Sequence, residues 1–284
     1  GINKDGTFRT EPTVLPAVPM YFRMADRNKA RVTLRQYAGN AFTTNWGVRI
    51  VRDDSKLFKP TGYHYGSVWP LFTGWLSLAE YNNGNYLQGY SHLMNNLNVY
   101  RSWGLGFVEE VLNGAVYEPS GVCAHQCWSE TMVLQPAIEG LLGLEVNATE
   151  RTITLAPHLP AHWDSLVVEN IRMGKQRLGF RYLRKDSLAA YNFIPIPGEK
   201  WTIGFMPAYA AGAHVLRVTL DGKDIPFTTF SERDGMVLYV KFTVDRPSRM
   251  VVETRGGIAA LPAVMEPKRG YSSEGFRILE NRLT

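Results

Sequence analysis

The main boundary of the predicted fold lies in the stretch QPAIEGLLGLEVNATERTITLAP, residues 135–157. Apolar residues recur at helical spacing up to Leu142, and Gly143 then provides a helix stop. From Thr152 onward, short runs rich in β-branched and aromatic residues alternate with turn signals. The sequence therefore predicts a helical part up to residue 147 and an all-β part after it.

The helical part is predicted to contain four helices, at residues 26–38, 67–82, 87–100 and 126–142. Asp26 and Ser67 are suitable N-caps, because their side-chain oxygens can accept hydrogen bonds from free backbone N–H groups of a first turn. Pro136 lies inside the last helix and removes one backbone donor, which predicts a kink there. The loops between these helices are long and rich in Gly, Asn and Tyr, and such loops often carry functional residues.

The second part is predicted to contain eight strands, at residues 152–156, 166–173, 177–183, 188–193, 201–205, 214–220, 237–244 and 250–254. Asp221-Gly222 and Asp234-Gly235 are tight-turn signals between strands. Many short strands without intervening helices indicate an antiparallel β-sandwich. The predicted β domain covers residues 148–256, and residues 257–284 form a tail without periodicity.

The charge distribution separates several classes of partner. The chain has 284 residues and a formal net charge of +5, yet Arg101 is the only basic residue between Thr61 and Glu150, a stretch with eight Glu residues and many aromatic ones. A nucleic-acid surface needs Lys and Arg among its aromatic residues, so no nucleic-acid partner is predicted. No apolar run is long enough for a membrane span, so no membrane partner is predicted either. Aromatic rings beside carboxylates suit a neutral, hydroxyl-rich ligand.

The two cysteines form no predicted metal site. Cys123 and Cys127 flank His125 in GVCAHQC, which resembles half of a zinc site. A structural zinc needs four ligands, and the sequence has no second pair. We therefore expect two reduced thiols, no metal and no cofactor.

Three blocks of sequence are candidates for the chemistry: NWGVRI at residues 45–50, YHYGSVWPLFTGW at 63–75, and GFVEEVLNG at 106–114, which leads into HQCWSETM at 125–132. YHYGSVWP, the following Glu-containing loop and the Q-x-W-S helix together resemble the C-terminal part of bacterial glycogen-debranching-like (amylo-α-1,6-glucosidase) enzymes and of related glucoamylase-like and trehalase-like hydrolases. The β half is similar to the C-terminal sandwich of rhamnosidase-type and phosphorylase-type relatives.

This resemblance implies a fold class and an incomplete active site. The fold class is α+β multidomain, with residues 1–147 forming the last helices of an (α/α)6 helical barrel ahead of the β-sandwich. The implied reaction is inverting hydrolysis of α-linked glucosides or oligosaccharides. In the family the general acid lies upstream, in a region that nothing in residues 1–147 resembles. We therefore expect a C-terminal portion that hydrolyses little by itself and is completed by an upstream half of the same barrel.

The resemblance also implies roles for individual residues. Alignment on Gly114 places the catalytic base at Glu110, whereas a glucoamylase-style alignment selects its neighbour Glu109. His64 and Trp69 match positions that bind a sugar hydroxyl and form a wall of the sugar site. Further substrate-binding residues are expected at Trp46, Arg49, Gln126, Trp128 and Glu130.

Other interpretations of the sequence stay open. A non-catalytic carbohydrate-binding or structural fragment would keep the aromatic surfaces but turn Glu109 and Glu110 away from any cleft. A phosphorylase would need basic groups where the base should lie, and these are scarce in this region. An α-L-rhamnosidase is compatible with the β half. The compartment is not predicted, since a soluble chain of this kind suits the cytoplasm, the periplasm or secretion.

Overall fold

The computed structural model describes residues 2–104 and 106–281, and its contacts divide the chain into two compact units. The first unit contains the chain up to Ala137 together with Pro262–Glu280, and the second contains Ile138–Leu261. Within the described ranges, no helix combines the length and the apolar character that crossing a membrane requires.

The first unit combines short helices with long irregular segments. Its elements are α1 (Ala17–Tyr21), α2 (Arg27–Tyr37), β1 (Thr43–Thr44), β2 (Gly47–Val48), α3 (Pro70–Asn82), α4 (Tyr86–Val99) and α5 (Cys127–Gln135). A π-helix, Pro136–Leu141, follows α5 directly and contains the boundary between the units.

The four predicted helices are confirmed as α2, α3, α4 and α5. The Asp26 carboxylate accepts hydrogen bonds from the backbone N–H groups of Asn28 and Lys29, as an N-cap should. Ser67 does not cap α3, because its hydroxyl donates to the carbonyl of Gly62 and the helix begins after Trp69. The kink predicted at Pro136 takes the form of the π-helix.

The predicted partial (α/α)6 helical barrel is wrong. Among the described residues there are five α-helices of 5 to 14 residues, and these do not form a helical barrel. Helical periodicity located the individual helices correctly. It does not predict how helices are arranged, and the segments between them fold as turns and isolated β-bridges rather than as further helices.

Residues 262–280 pack against the rest of the first unit. The backbone N–H of Tyr117 donates to the carbonyl of Tyr271, and the Gln88 side chain donates to the carbonyl of Ile278. The Arg277 guanidinium donates to the side chain of Asn45. Specific hydrogen bonds thus hold residues 262–280, which lack sequence periodicity. Periodicity does not predict such long-range bonds.

The second unit is built from strands. They are β3 (Leu144–Asn147), β4 (Thr152–Leu155), β5 (Ser165–Met173), β6 (Gln176–Lys185), β7 (Leu188–Pro195), β8 (Trp201–Phe205), β9 (Ala208–Leu220), β10 (Lys223–Asp224), β11 (Thr228–Ser231), β12 (Gly235–Val244) and β13 (Ser248–Ile258). All eight predicted strands are confirmed, one of them with the predicted bounds. Residues 221–222 form the turn between β9 and β10; Asp234 is the last residue of the short connection from β11 to β12, and Gly235 begins β12.

The predicted antiparallel β-sandwich is also wrong. Nine strands follow one another in a single hydrogen-bonded sheet, in the order β3-β4-β8-β12-β9-β13-β7-β6-β5, with β10 and β11 paired at the side. The sheet is mixed, because β4 and β8 run parallel. It curls into a nearly closed barrel, and side chains from its strands share one apolar core.

Two long strands change partner along their length, and this joins what would otherwise be two sheets. β9 pairs with β12 through residues 208–210 and with β13 through residues 211–220. β12 pairs with β9 through residues 235–237 and with β8 through residues 240–244. A strand that bends and passes from one partner to the next turns a corner of the sheet. Alternation of apolar residues shows that a strand has a buried face but does not identify its neighbours.

Candidate functional site

The three predicted blocks meet in the first unit through backbone hydrogen bonds. Isolated β-bridges pair Arg49 with Val68 and Val68 with Leu112. Val68 and Leu112 exchange two N–H···O bonds, each of 2.9 Å. NWGVRI, the loop before α3 and the Glu109-Glu110 loop therefore lie side by side, although the hydrogen-bonded residues Trp46 and Asn113 are 67 positions apart in the sequence.

The start of α5 joins the same group. The backbone N–H of Gln126 donates to the carbonyl of Val108 at 3.0 Å, and the N–H of Glu110 donates to the carbonyl of Cys123 at 2.9 Å. Trp128 follows two residues later with its side chain 42% exposed. The helix start and the Glu109-Glu110 loop are thus linked by their backbones, and the Trp128 ring is available at the surface.

Glu110 is nearly buried and has a specific partner. Its side chain is 6% exposed, and its Oε1 accepts a hydrogen bond from the Tyr63 hydroxyl at 2.6 Å. The carboxylate raises the pKa of Tyr63 to about 12, chiefly through this hydrogen bond, with burial and the negative charge adding to it. Tyr63 therefore stays protonated and keeps donating at any physiological pH.

Glu109 lies in a different environment from its neighbour. It is 3% exposed, and its Oε2 has no hydrogen-bond partner among the described residues. Burial raises the pKa of this carboxyl, because removal from water disfavours the charged form. The two adjacent carboxyl groups are therefore not the solvated pair that a doublet of Glu residues suggests at first sight.

An aromatic cluster holds Tyr63 in place. Its ring lies 4.5 Å from that of Trp69 and 4.7 Å from that of His64, both edge to face, and its carbonyl accepts from Trp69 Nε1 at 2.8 Å. The exposed His64 ring lies parallel to the Trp69 ring at 5.7 Å. Since Trp69 is buried, it supports His64 and Tyr63 from beneath.

Trp46 and Arg49 are buried in the same region. Trp46 is 1% exposed and donates from Nε1 to the carbonyl of Asn113 at 2.9 Å. Arg49 donates to the carbonyls of Gly114 and Asn40, each at 2.6 Å, and pairs with Asp53 at 3.3 Å. Burial lowers the pKa of the Arg49 guanidinium, and its paired position keeps it charged. Both side chains hold the backbone that follows the Glu109-Glu110 loop.

The remaining predicted residues lie around the start of α5. Gln126 is half-buried at the N-cap, without a side-chain capping bond. The half-buried Glu130 carboxylate lies 2.9 Å from Nε2 of His125. The His125 ring stacks on the Phe107 ring, with centroids 4.2 Å apart and planes 10° from parallel.

The sequence alone did not predict site roles for Tyr63, Phe107 or His125. Each lies within one of the blocks predicted to carry the chemistry, and this position in the sequence was the only sign that the residue belongs to the site. Their importance depends on contacts with residues 47 or 18 positions away, which spacing does not reveal. Among the described residues, no group of three His, Cys, Asp or Glu side chains could hold a metal ion.

Comparisons with known proteins give distant structural likenesses. No protein-family model and no curated protein matches this sequence. An α-L-rhamnosidase from Dictyoglumus thermophilum has 12% identity over 84% of this chain and 25% of its own, with a TM-score of 0.49. An α-L-rhamnosidase from Streptomyces avermitilis has 12% identity over 89% of this chain and 22% of its own, with a TM-score of 0.44.

A GH127 β-L-arabinofuranosidase from Geobacillus stearothermophilus T6 has 10% identity, covers 85% of this chain and 41% of its own, and gives a TM-score of 0.39. The chain thus spans between 22% and 41% of the length of these three structures. All three are glycoside hydrolases by name. TM-scores below 0.5 at such identities assign no activity to this chain.

Proposed function

We propose that this chain contributes the catalytic base, and part of the sugar-binding surface, of a glycoside hydrolase. The observation that carries the proposal is the Glu110 carboxyl group. It is 6% exposed, accepts a 2.6 Å hydrogen bond from Tyr63 and lies in the loop that joins all the predicted blocks. The proposed reaction is inverting hydrolysis of an α-linked glucoside or oligosaccharide, as the sequence resemblance implies.

Glu110 is the better candidate for the base than Glu109. A general base must be ionised to accept a proton from water. The Tyr63 hydroxyl holds the Glu110 carboxylate in place, whereas burial raises the pKa of Glu109 and favours its neutral form. In the proposed reaction Glu110 removes a proton from the water that attacks the anomeric carbon.

The surface around this loop is suited to a neutral sugar. Aromatic faces pack against the apolar faces of pyranose rings, and side-chain amides, imidazoles and carboxylates bond their hydroxyl groups. Trp128 and His64 are exposed, and Gln126 and Glu130 are half-buried. We assign these four to sugar contact, and Trp46, Arg49 and Trp69 to the support of the loops that carry them.

Inverting hydrolysis also needs a carboxylic acid about 6.5 to 9.5 Å from the base, to protonate the leaving oxygen. In this proposal that acid comes from outside the present sequence. The test therefore uses the full-length protein that carries the sequence, with a panel of α-linked aryl glycosides and oligosaccharides.

The decisive variant is Glu110→Gln. It keeps the size of the side chain and its capacity to accept from Tyr63, but it cannot take a proton. We expect kcat/KM to fall about 10³-fold, in the range for loss of a general base. Glu118→Gln, an exposed neighbour, is the matched control and should retain activity. A loss of only a few-fold for Glu110→Gln would exclude this residue as the base. Binding without hydrolysis by the unsubstituted protein would indicate a non-catalytic carbohydrate-binding module instead.

A further inference from the structure

We infer that Tyr63 is a positioning residue, whose hydroxyl orients the Glu110 carboxylate for the reaction. The inference rests on the proposed function, because it assumes that Glu110 is the base. It adds a second residue to the catalytic machinery and gives that residue a role distinct from structural support of the loop.

The geometry of the contact is that of a charge-assisted hydrogen bond. The distance of 2.6 Å between the Tyr63 hydroxyl and Glu110 Oε1 is in the range typical of O–H···O⁻ bonds. The hydroxyl fixes one carboxylate oxygen, and the backbone N–H of Glu110 is itself bonded to Cys123. The base is therefore constrained at both its backbone and its side chain.

The Tyr63 ring has little freedom to move away from this position. Trp69 and His64 contact it edge to face, and its own carbonyl accepts from Trp69 Nε1. Preorganised donors cost no rearrangement when charge changes during a reaction, so a fixed phenol is more effective than a mobile one. A Tyr whose only task was to fill space would not need its hydroxyl on a carboxylate.

The environment of the doublet gives this hydrogen bond a specific purpose. The Tyr63 hydroxyl bonds the Glu110 carboxylate, the His64 ring contacts Tyr63, and the backbone carbonyl of Cys123 accepts from the Glu110 N–H. A nearly buried carboxylate needs hydrogen-bond donors in place of the water it has lost, and Tyr63 supplies one.

The test compares Tyr63→Phe with Tyr65→Phe in the full-length protein. Tyr65 is in the same loop and exposed, so it is a matched control. We expect Tyr63→Phe to lower kcat by about ten- to a hundredfold, with little change in KM, because a hydrogen bond to a charged group is lost.

A role that is only structural would lower the melting temperature but leave the kcat of the folded protein unchanged. Tyr63→Phe with the kcat of the unsubstituted protein and of Tyr65→Phe would overturn the inference. Thermal unfolding of each variant is measured alongside to confirm that the proteins compared are folded.

A second measurement needs no activity. With ¹³Cζ-labelled tyrosine, the Tyr63 resonance is identified by its absence from the Tyr63→Phe spectrum. In Glu110→Gln the pKa of Tyr63 should fall from about 12 toward its ordinary value of 10. No change would overturn the contact itself. A fall in this pKa together with full activity of Glu110→Gln would instead overturn the proposed function, so the two failures can be distinguished.

Discussion

The two units of the chain bury different chemistry. Among the described residues, eighteen polar or charged side chains are buried, and sixteen of them belong to the first unit. The second unit buries Thr219 and Ser248 and otherwise fills its interior with apolar and aromatic side chains. Both units have an ordered interior, but they achieve it by different interactions.

This difference follows from how the backbone N–H and C=O groups of each unit find hydrogen-bond partners. In the second unit neighbouring strands pair their backbone groups with one another, so the side chains need only bury apolar surface. In the first unit the long irregular segments have backbone carbonyls that no neighbouring strand pairs with. Buried side chains donate hydrogen bonds to these carbonyls. Arg49 donates to the carbonyls of Gly114 and Asn40, and Gln88 donates to that of Ile278. A unit of this kind can position loops around a site, which a regular sheet does less easily.

The largest expected effect is on the apolar core of the second unit. Phe205 is fully buried and contacts the rings of Tyr191 and Phe193, at 4.8 and 5.3 Å. Phe205→Ala should lower the free energy of unfolding of the second unit by about 4 kcal/mol, because it removes an aromatic side chain from a packed core.

The measurement for this variant is urea unfolding combined with hydrogen exchange, which reports each unit separately. Phe230→Ala on β11, where the ring is exposed, is the control and should cost under about 1 kcal/mol. Equal costs for the two variants would contradict an interior stabilised by apolar packing.

The second prediction tests the buried polar side chains of the first unit. Glu80 is fully buried, its Oε2 lies 2.7 Å from His92 Nδ1, and His92 Nε2 lies 2.9 Å from the Thr43 hydroxyl. Burial raises the pKa of Glu80, and His92 partly opposes this. Glu80→Ala leaves His92 without its carboxyl partner and should cost about 3 kcal/mol in the first unit.

Urea unfolding measures that cost, with the exposed Glu118→Ala as a matched control expected to be near neutral. A neutral result for Glu80→Ala would show that the buried polar residues contribute little to this unit. The Glu80 group also contrasts with the Tyr63–Glu110 contact. Its three members are all buried, whereas Glu110 and Tyr63 adjoin exposed rings, so only the latter pair is placed to meet a ligand.

The smallest expected effect is a loss of stability of the second unit as the pH falls. Burial lowers the pKa of His158 from 6.5 to about 4, although a backbone hydrogen bond to Gly140 partly opposes the shift. Between these values the unfolded chain binds more protons than the folded one. The contribution of His158 is therefore fully present above pH 6.5 and is lost as the pH falls toward 4, with a loss of about 2 kcal/mol by about pH 5.

Urea unfolding between pH 7 and pH 4 measures this loss. His158→Asn should flatten the pH dependence of the second unit, whereas the exposed His162→Asn should leave it unchanged. The same slope in all three proteins would show that another group is responsible.

The site was only partly accessible to prediction. The blocks around Glu110, His64 and Gln126 were selected from residue types and from a resemblance, and the backbone does bring these blocks together. Tyr63 was not selected, because its value depends on one hydroxyl reaching a carboxyl 47 positions away. Nor could a sequence distinguish exposed Trp128 from buried Trp46, since both occur in polar, aromatic segments of similar composition.

Local interactions explain what the sequence alone determined: the positions of four helices and eight strands, the Asp26 cap, the interruption at Pro136 and the turns at Asp221 and Asp234. Each depends on neighbours within a few residues, which periodicity and turn chemistry report directly. Tertiary structure alone decided that β9 and β12 change partners, so that one curled mixed sheet forms instead of a sandwich, and that the helices form no helical barrel. It also decided which of two adjacent Glu residues receives the hydrogen bond from Tyr63. These outcomes depend on contacts between residues distant in the chain, where many pairings satisfy the same local pattern and packing selects one.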